Sequence, residues 1–475
     1  MSNVKLNDKF MWGGAIAAYQ AEGGWNVDDK GYSNWDHFSN SDNNPFNINN
    51  VSGNDATDFY HHYKEDIKLL AEGGHNSFRF SLSWTRIIPE GVGKRSAAGI
   101  AFYNDVINTC LKYGLEPNVT IHHYDIPQKF EDEFGGWKDK RLIDYYFDYA
   151  KVCLEEFGDR VKLWTTLNEP RFYSYCGYVM GNWPPHKHKD LQSYWETVYN
   201  QLIASAKVVK YFKENNYEGY IGIVHDHGTV EVSPETRDKE YVYNHAELFF
   251  NSLVLDMCAK GKIPTNLEKF LKESGYDTSF INYQDENLLK EGIVDFLGIN
   301  SYQRFYVTDS TGETIVTHNN TGKKSNEKES IKLKDWFDIT EPEHVSRNFW
   351  GREVYPEAIY KGIKDVSEKY PGFPIVITEN GHAVYDTPDE TGYVEDDDRI
   401  EVLQQFVDYV LKARDDGYDV QGYFVWSAFD VWSWVNGYVK RYGLIRVDEN
   451  DNFKRIPKKS FYWFKDIIKT NQITL

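Results

Sequence analysis

Two glutamates follow apolar segments directly, each beside an asparagine: Glu169 in KLWTTLNEP and Glu379 in PIVITENG. A facing pair of carboxyl groups can divide the work of cleaving a glycosidic bond. One protonates the leaving oxygen while the other attacks the anomeric carbon or activates water. A single glutamate at the end of a strand is as readily a salt-bridge partner, but two, each beside an asparagine, are harder to explain that way. Other polar or aromatic residues break into apolar runs at comparable points: Gln20, Arg79, His122, His123, Asp125, Asn300, Tyr302 and Trp426.

Short apolar runs alternate with longer amphipathic stretches along the whole chain, the rhythm of repeated strand–helix units. Eight strands are predicted: Phe10 to Gln20, Asn76 to Ser83, Leu115 to His122, Val161 to Asn168, Tyr220 to His225, Phe296 to Tyr302, Ile375 to Glu379 and Gln421 to Phe429. Helices are expected between them, among them Ala56 to Glu72, Gly99 to Tyr113, Arg141 to Phe157, Tyr241 to Lys260, Pro356 to Lys369, Ile400 to Asp416 and Lys459 to Ile468. Eight such units predict a (β/α)₈ barrel occupying residues 1–475 as one catalytic domain with long loops, and in such barrels reacting groups stand at the C-terminal ends of several strands. The polar stretches Ser39 to Asn54 and Asp309 to Glu341 have no convincing period and are expected to be loops after the first and sixth strands.

Composition narrows the function. A formal charge of −20 argues against a nucleic-acid or anionic-membrane surface, both of which call for clustered Lys and Arg. Hydrophobic residues at 41% and charged residues at 27% can build a core under a solvated surface. Fourteen Trp and 35 Tyr exceed what a core requires and suit stacking on sugar rings. The four cysteines, Cys110, Cys153, Cys176 and Cys258, show neither metal-ligand spacing nor a disulfide framework. His186, His188 and His225 to His227 have no strong metal spacing, so no metal or other cofactor is expected. With no signal-peptide run and no apolar stretch of membrane-spanning length, the expectation is a soluble cytoplasmic protein.

Seven ordered motifs carry a resemblance along almost the whole chain: FMWGGAIAAYQAEG, FRFSLSWTRIIP, HHYDIP, TTLNEP, DFLGINSY, ITENG, and GYFVWSAFD leading to KRYGLIRVD. Together they resemble glycoside hydrolase family 1. The resemblance implies retention of anomeric configuration, with Glu169 as acid/base and Glu379 as nucleophile. It also implies that Gln20, His123, Asn168 and Trp426 hold the sugar beside the scissile bond. In that reading Arg79, Tyr302 and Asn300 support the nucleophile, the first two as cation and hydroxyl donor, while a negative neighbour raises the pKa of Glu169. Asn168 would donate to the hydroxyl next to the anomeric carbon.

The segment DVWSWVNGYVKRYGL departs from the common β-glucosidase pattern, with Ser433 where those enzymes place a Glu for the outer sugar hydroxyls. Ser433, Lys440 and Tyr442 resemble the phosphate-binding loop of the 6-phospho-β-galactosidases and 6-phospho-β-glucosidases. Losing a carboxylate removes repulsion, and an ammonium with two hydroxyls can bind a dianion. Trp434 resembles the galactosidase pattern, although unphosphorylated β-glucosidases carry Trp there too. The expected substrate is therefore a small 6-phospho-β-D-galactoside, with the 6-phospho-β-D-glucosides as runner-up, and the resemblance implies a disaccharide phosphate delivered by a phosphotransferase uptake system. Galactose remains in competition with glucose, and behind both stands an unphosphorylated β-glucosidase. Outside enzymes, the competing reading is a sugar-binding barrel that has lost catalysis. Three further departures stand out: Arg352, where relatives usually have a second Trp, is expected to touch the leaving group or the phosphate or else to pair at the surface, while Ser205, where many have His, and His382 after the ITENG motif have no account from sequence.

Overall fold

A computed structural model describes residues 4–41, 51–317 and 330–472. Eight parallel strands close into a barrel: β1 (Met11–Ala15), β2 (Ser77–Ser81), β3 (Glu116–His122), β4 (Leu163–Asn168), β5 (Tyr220–Asp226), β6 (Leu297–Asn300), β7 (Ile375–Asn380) and β8 (Val420–Trp426). Each strand pairs with the next in sequence. Closure comes from β1 against β8, with Met11 opposite Gly422 and Ala15 opposite Trp426. The chain is therefore an α/β protein with the expected (β/α)₈ architecture.

The strands read as unbroken apolar runs because both of their faces are covered: all five residues of β2 and all seven of β8 are buried. Helices follow each strand and pack outside it, including Phe59–Glu72 after β1, Leu191–Glu214 after β4 and Lys459–Thr470 after β8. Local signals set their starts. Ser96 Oγ accepts from the Gly99 amide at 3.0 Å to open Ala97–Lys112, and Asp190 accepts from the Ser193 amide to open Leu191–Glu214.

Several expected boundaries shift. The run Phe10 to Gln20 is not one strand: β1 ends at Ala15, and Ala18–Ala21 forms one buried helical turn that carries Gln20 to the barrel mouth. A short apolar run buried on every side looks the same in either conformation. The stretch Asp309 to Glu341, expected to be a loop, contains strands Ile315–Thr317, Ser330–Leu333 and Phe337–Ile339. These join Arg304–Thr308 and Thr229–Val232 in a five-stranded sheet beside the barrel. At three or four residues each they are too short for their alternation to stand out among the surrounding polar residues. Of the expected loop Ser39 to Asn54, residues 42–50 lie outside the described residues.

Candidate active site

At the C-terminal end of the barrel a cavity of about 220 Å³ brings together Glu169, from the end of β4, and Glu379, near the end of β7. Tight local packing sets both. A side chain at Gly381 would place its Cβ 2.0 Å from the Trp426 carbonyl oxygen, so the glycine lets the chain leaving β7 lie against the end of β8. Glu169 holds a left-handed backbone conformation at φ 44°, and so does Tyr124 at φ 77°. Such conformations carry a cost for residues with side chains and are held only where the surroundings fix them. At Glu169 the fixing is visible: its amide donates to the Val224 carbonyl at 2.8 Å, and its carbonyl accepts from the Tyr173 amide at 3.0 Å.

The two carboxyls have different partners. Arg79 Nη1 donates to Glu379 Oε1 at 2.6 Å, and the Tyr302 hydroxyl donates to Oε2 at 3.1 Å. Glu169 receives neutral donors, Asn300 Nδ2 on Oε1 at 2.6 Å and the Tyr124 hydroxyl on Oε2. The nearest cation on its side, Arg171, is paired with Asp226. Burial pushes the Glu169 carboxyl up to about 7, and the negative charge of Glu379 adds to the shift, against smaller opposing pulls from Tyr124, Asn300 and Arg171. Burial raises Glu379 as well, but there the Arg79 cation pulls back most strongly, followed by the Tyr302 hydroxyl. The arrangement can thus hold one carboxyl protonated near neutral pH beside one that is ionised. This pairing suits displacement at an acetal carbon.

Of the residues expected to hold the sugar, Gln20, His123 and Trp426 line the same cavity, and Asn168 is hydrogen-bonded to its wall. Arg79 Nη2 donates to Asn168 Oδ1 at 2.7 Å, while Asn168 Nδ2 lies 2.9 Å from the Tyr124 hydroxyl and 3.2 Å from His123 Nε2. Burial holds His123 well below its ordinary pKa, with Arg79 and His122 adding to the shift, so the ring is neutral. Gln20 Nε2 is spent on the Trp432 carbonyl at 2.8 Å, whereas Oε1 has no hydrogen-bond partner among the described residues. His123 Nδ1 is in the same position. Buried polar atoms of this kind on a cavity wall match the hydroxyls of a sugar. Trp426 lies over the His123 ring at 6.0 Å between centroids, and Trp434 packs between Trp35 at 4.2 Å and Tyr124 at 5.4 Å.

Some expected placements differ. Asn300, expected beside Glu379, stands opposite it in the strand register and opposes its pKa rise through a hydrogen bond, while its amide also donates to Glu169 Oε1 and its Oδ1 accepts from Thr378 Oγ1 at 2.7 Å. Ser433 and Tyr442 line the cavity, with Ser433 in a tight turn where its backbone amide donates to the Gly437 carbonyl. Lys440 is buried and is not among the residues that line the cavity; its ammonium lies 4.7 Å from the centroid of Trp350, where an aromatic face favours a desolvated cation. The basic side chain on the wall near Tyr442 is Arg352; burial raises the Tyr442 pKa, and the Arg352 charge opposes it. Ser205 gains an account: its hydroxyl is 2.7 Å from that of Thr166, joining the helix Leu191–Glu214 to β4. His382 is held neutral by burial at a pKa of about 4, and its carbonyl accepts from Arg399 Nε.

Sequence reasoning missed Tyr124, Arg171 and Asp226. Tyr124 stands between two residues already singled out, His123 and Asp125, and its phenol was the available signal. The Arg171–Asp226 pair joins residues far apart in the chain and left no signal. Among the described residues no three or more His, Cys, Asp or Glu side chains are grouped to hold a metal, and all four cysteines are buried thiols. No described helix is long and apolar enough to cross a membrane.

Fold and site together define a β-glycosidase barrel of the retaining kind. The chain belongs to Glycosyl hydrolase family 1, whose model matches residues 2–473. It is 38% identical to the 6-phospho-beta-galactosidase of Clostridium acetobutylicum over 470 residues, covering 97% of this chain and 96% of the relative. To the aryl-phospho-beta-D-glucosidase BglC of Bacillus subtilis it is 36% identical over 468 residues, covering 97% of each. Among solved structures, the beta-glucosidase from Thermotoga maritima in complex with glucoimidazole superposes with a TM-score of 0.86 at 34% identity, covering 98% of this chain and 99% of that one.

Proposed function

We propose that the protein hydrolyses 6-phospho-β-D-galactosides by double displacement, with Glu379 as nucleophile and Glu169 as acid and then base. In the first step Glu379 attacks the anomeric carbon while Glu169 gives its proton to the leaving oxygen. In the second, Glu169 takes a proton from water as the water oxygen displaces Glu379. Arg79 and Tyr302 keep the nucleophile ionised. Gln20, His123, Asn168 and Trp426 hold the sugar, with Asn300 steadying Glu169.

The observation that carries the phosphate reading is the wall formed by Ser433, Tyr442 and Arg352 on the cavity that holds both glutamates. Two hydroxyls and a guanidinium suit a phosphate dianion, since a guanidinium can make paired charge-assisted bonds. Lys440, buried over Trp350, adds positive charge. Trp434 favours galactose, whereas the likeness to the Bacillus aryl-phospho-beta-D-glucosidase favours glucose as the second reading. A phosphorylated substrate implies a cytoplasmic enzyme fed by a phosphorylating uptake system.

Four nitrophenyl β-glycosides test this: galactoside and glucoside, each with and without the 6-phosphate, with Glu379→Gln as blank. Activity restricted to the phosphorylated pair is expected, with the galactoside faster. Equal turnover of the unphosphorylated pair would overturn the phosphate assignment, and no turnover of any would favour a non-catalytic sugar-binding barrel.

A further inference from the structure

Tyr124 follows β3 with its ring fixed on several sides. It stacks on Tyr173 at 5.8 Å and 15° and packs against Trp183 at 4.9 Å and Trp434 at 5.4 Å. Its carbonyl lies 3.4 Å from Asn34 Nδ2. This buried ring has little freedom to turn away, and its hydroxyl is aimed at one place. There it donates to Glu169 Oε2 and accepts from Asn168 Nδ2 at 2.9 Å.

We propose that Tyr124 is a positioning residue that holds Glu169 in its ionised, base-competent form and couples it to the sugar-reading amide of Asn168. The proposal rests on the acid/base role of Glu169 put forward above. A phenol donates one proton, and donation to a carboxylate stabilises the charged state over the neutral acid. Burial, followed by the charges of Glu169 and Glu379, raises the Tyr124 pKa far above its ordinary value, so the hydroxyl keeps its proton throughout the working range. Asn300 holds the other carboxylate oxygen, so the group is gripped at both ends.

The charged and titratable groups around Glu169 leave this pull distinct. Glu379 faces it from β7 with Arg79 and Tyr302 on its far side. Arg171 follows Glu169 on the next helix and is tied to Asp226 of β5, and a neutral His123 lies beyond Asn168. Cys176 acts on Tyr124 only weakly, as the smallest of the influences that raise it. None of these groups supplies the hydroxyl proton on Oε2.

Tyr124→Phe keeps the stacked ring and removes the donor. The basic limb of kcat/KM for a poor leaving group is expected to move to higher pH by about one unit, the worth of a hydrogen bond to a charged group. With a dinitrophenyl glycoside, whose departure needs no acid, kcat is expected to fall about tenfold and KM to fall with it as glycosyl-enzyme accumulates. Tyr173→Phe, which leaves the Tyr124 hydroxyl in place, is the control whose limb stays put. Should Tyr124→Phe fail to fold, 3-fluorotyrosine at position 124, a stronger donor of nearly the same size, is expected to move the limb to lower pH. An unmoved limb in the folded variant, or in the fluorinated one, overturns the proposal. Failure of the underlying acid/base reading is seen separately: Glu169→Gln would then lose rate regardless of leaving group and show no acceleration by azide.

Discussion

The ends of β4 and β7 present the same residue type, each next to an asparagine and buried in one cavity, yet their surroundings differ in one respect. Around Glu379 the main partner is a full cation, Arg79. Around Glu169 the donors are neutral, and the nearby Arg171 is already neutralised by Asp226. Two identical side chains thus acquire different proton affinities from their neighbours, as the proposed division into an acid and a nucleophile at one pH requires. The proposed roles rest on the pattern of partners more than on the glutamates themselves.

The largest effect should come from the β7 side. Glu379→Gln removes the covalent route and is expected to lower kcat by about 10⁵-fold or more, on the scale of losing a nucleophile, as measured with a nitrophenyl 6-phosphoglycoside. The equivalent change on the β4 side should be milder and should depend on the leaving group. For Glu169→Gln the expected loss in kcat/KM is about 10²- to 10⁴-fold with an alkyl glycoside and much less with a dinitrophenyl one. Equal losses for both leaving groups would break the division of roles.

Further out, Ser433→Glu places a carboxylate where a phosphate is proposed to sit. It should reduce the preference for phosphorylated over unphosphorylated substrate on the order of 10²-fold, read as the ratio of the two kcat/KM values, because juxtaposed like charges cost several kcal/mol. The smallest effect belongs to Tyr302→Phe. Losing that 3.1 Å donor should raise the Glu379 pKa, move the acid limb of the rate profile to higher pH, and lower kcat/KM about tenfold.

The barrel was legible because eight apolar runs separated by amphipathic stretches have few other ways to bury both faces of every strand. The glutamates were legible for the same reason, as charges ending apolar strands. What could not be read was anything set by contact between distant segments. The sheet strands Ile315–Thr317, Ser330–Leu333 and Phe337–Ile339 are only three or four residues long, too short for a period to stand out. Asn300 stands at the end of β6 within reach of both carboxyls; it opposes the Glu379 pKa rise as expected, and only the geometry shows its amide on Glu169 as well. Lys440 and Arg352 teach the same point. By resemblance Lys440 belongs to the phosphate loop, and its ammonium lies over Trp350, while Arg352, for which the sequence left phosphate, leaving group and surface open, lines the cavity.

The central claim is that the charge of Glu379 helps keep Glu169 protonated near neutral pH. Infrared titration of the Glu169 carboxyl, isolated as the difference from Glu169→Gln, tests it when run in the otherwise native protein and in Glu379→Gln. The account predicts a midpoint near 7 that falls clearly when the neighbouring charge is removed, with burial alone sustaining the remaining elevation. A midpoint in the ordinary carboxylate range, or one unchanged by Glu379→Gln, would contradict it.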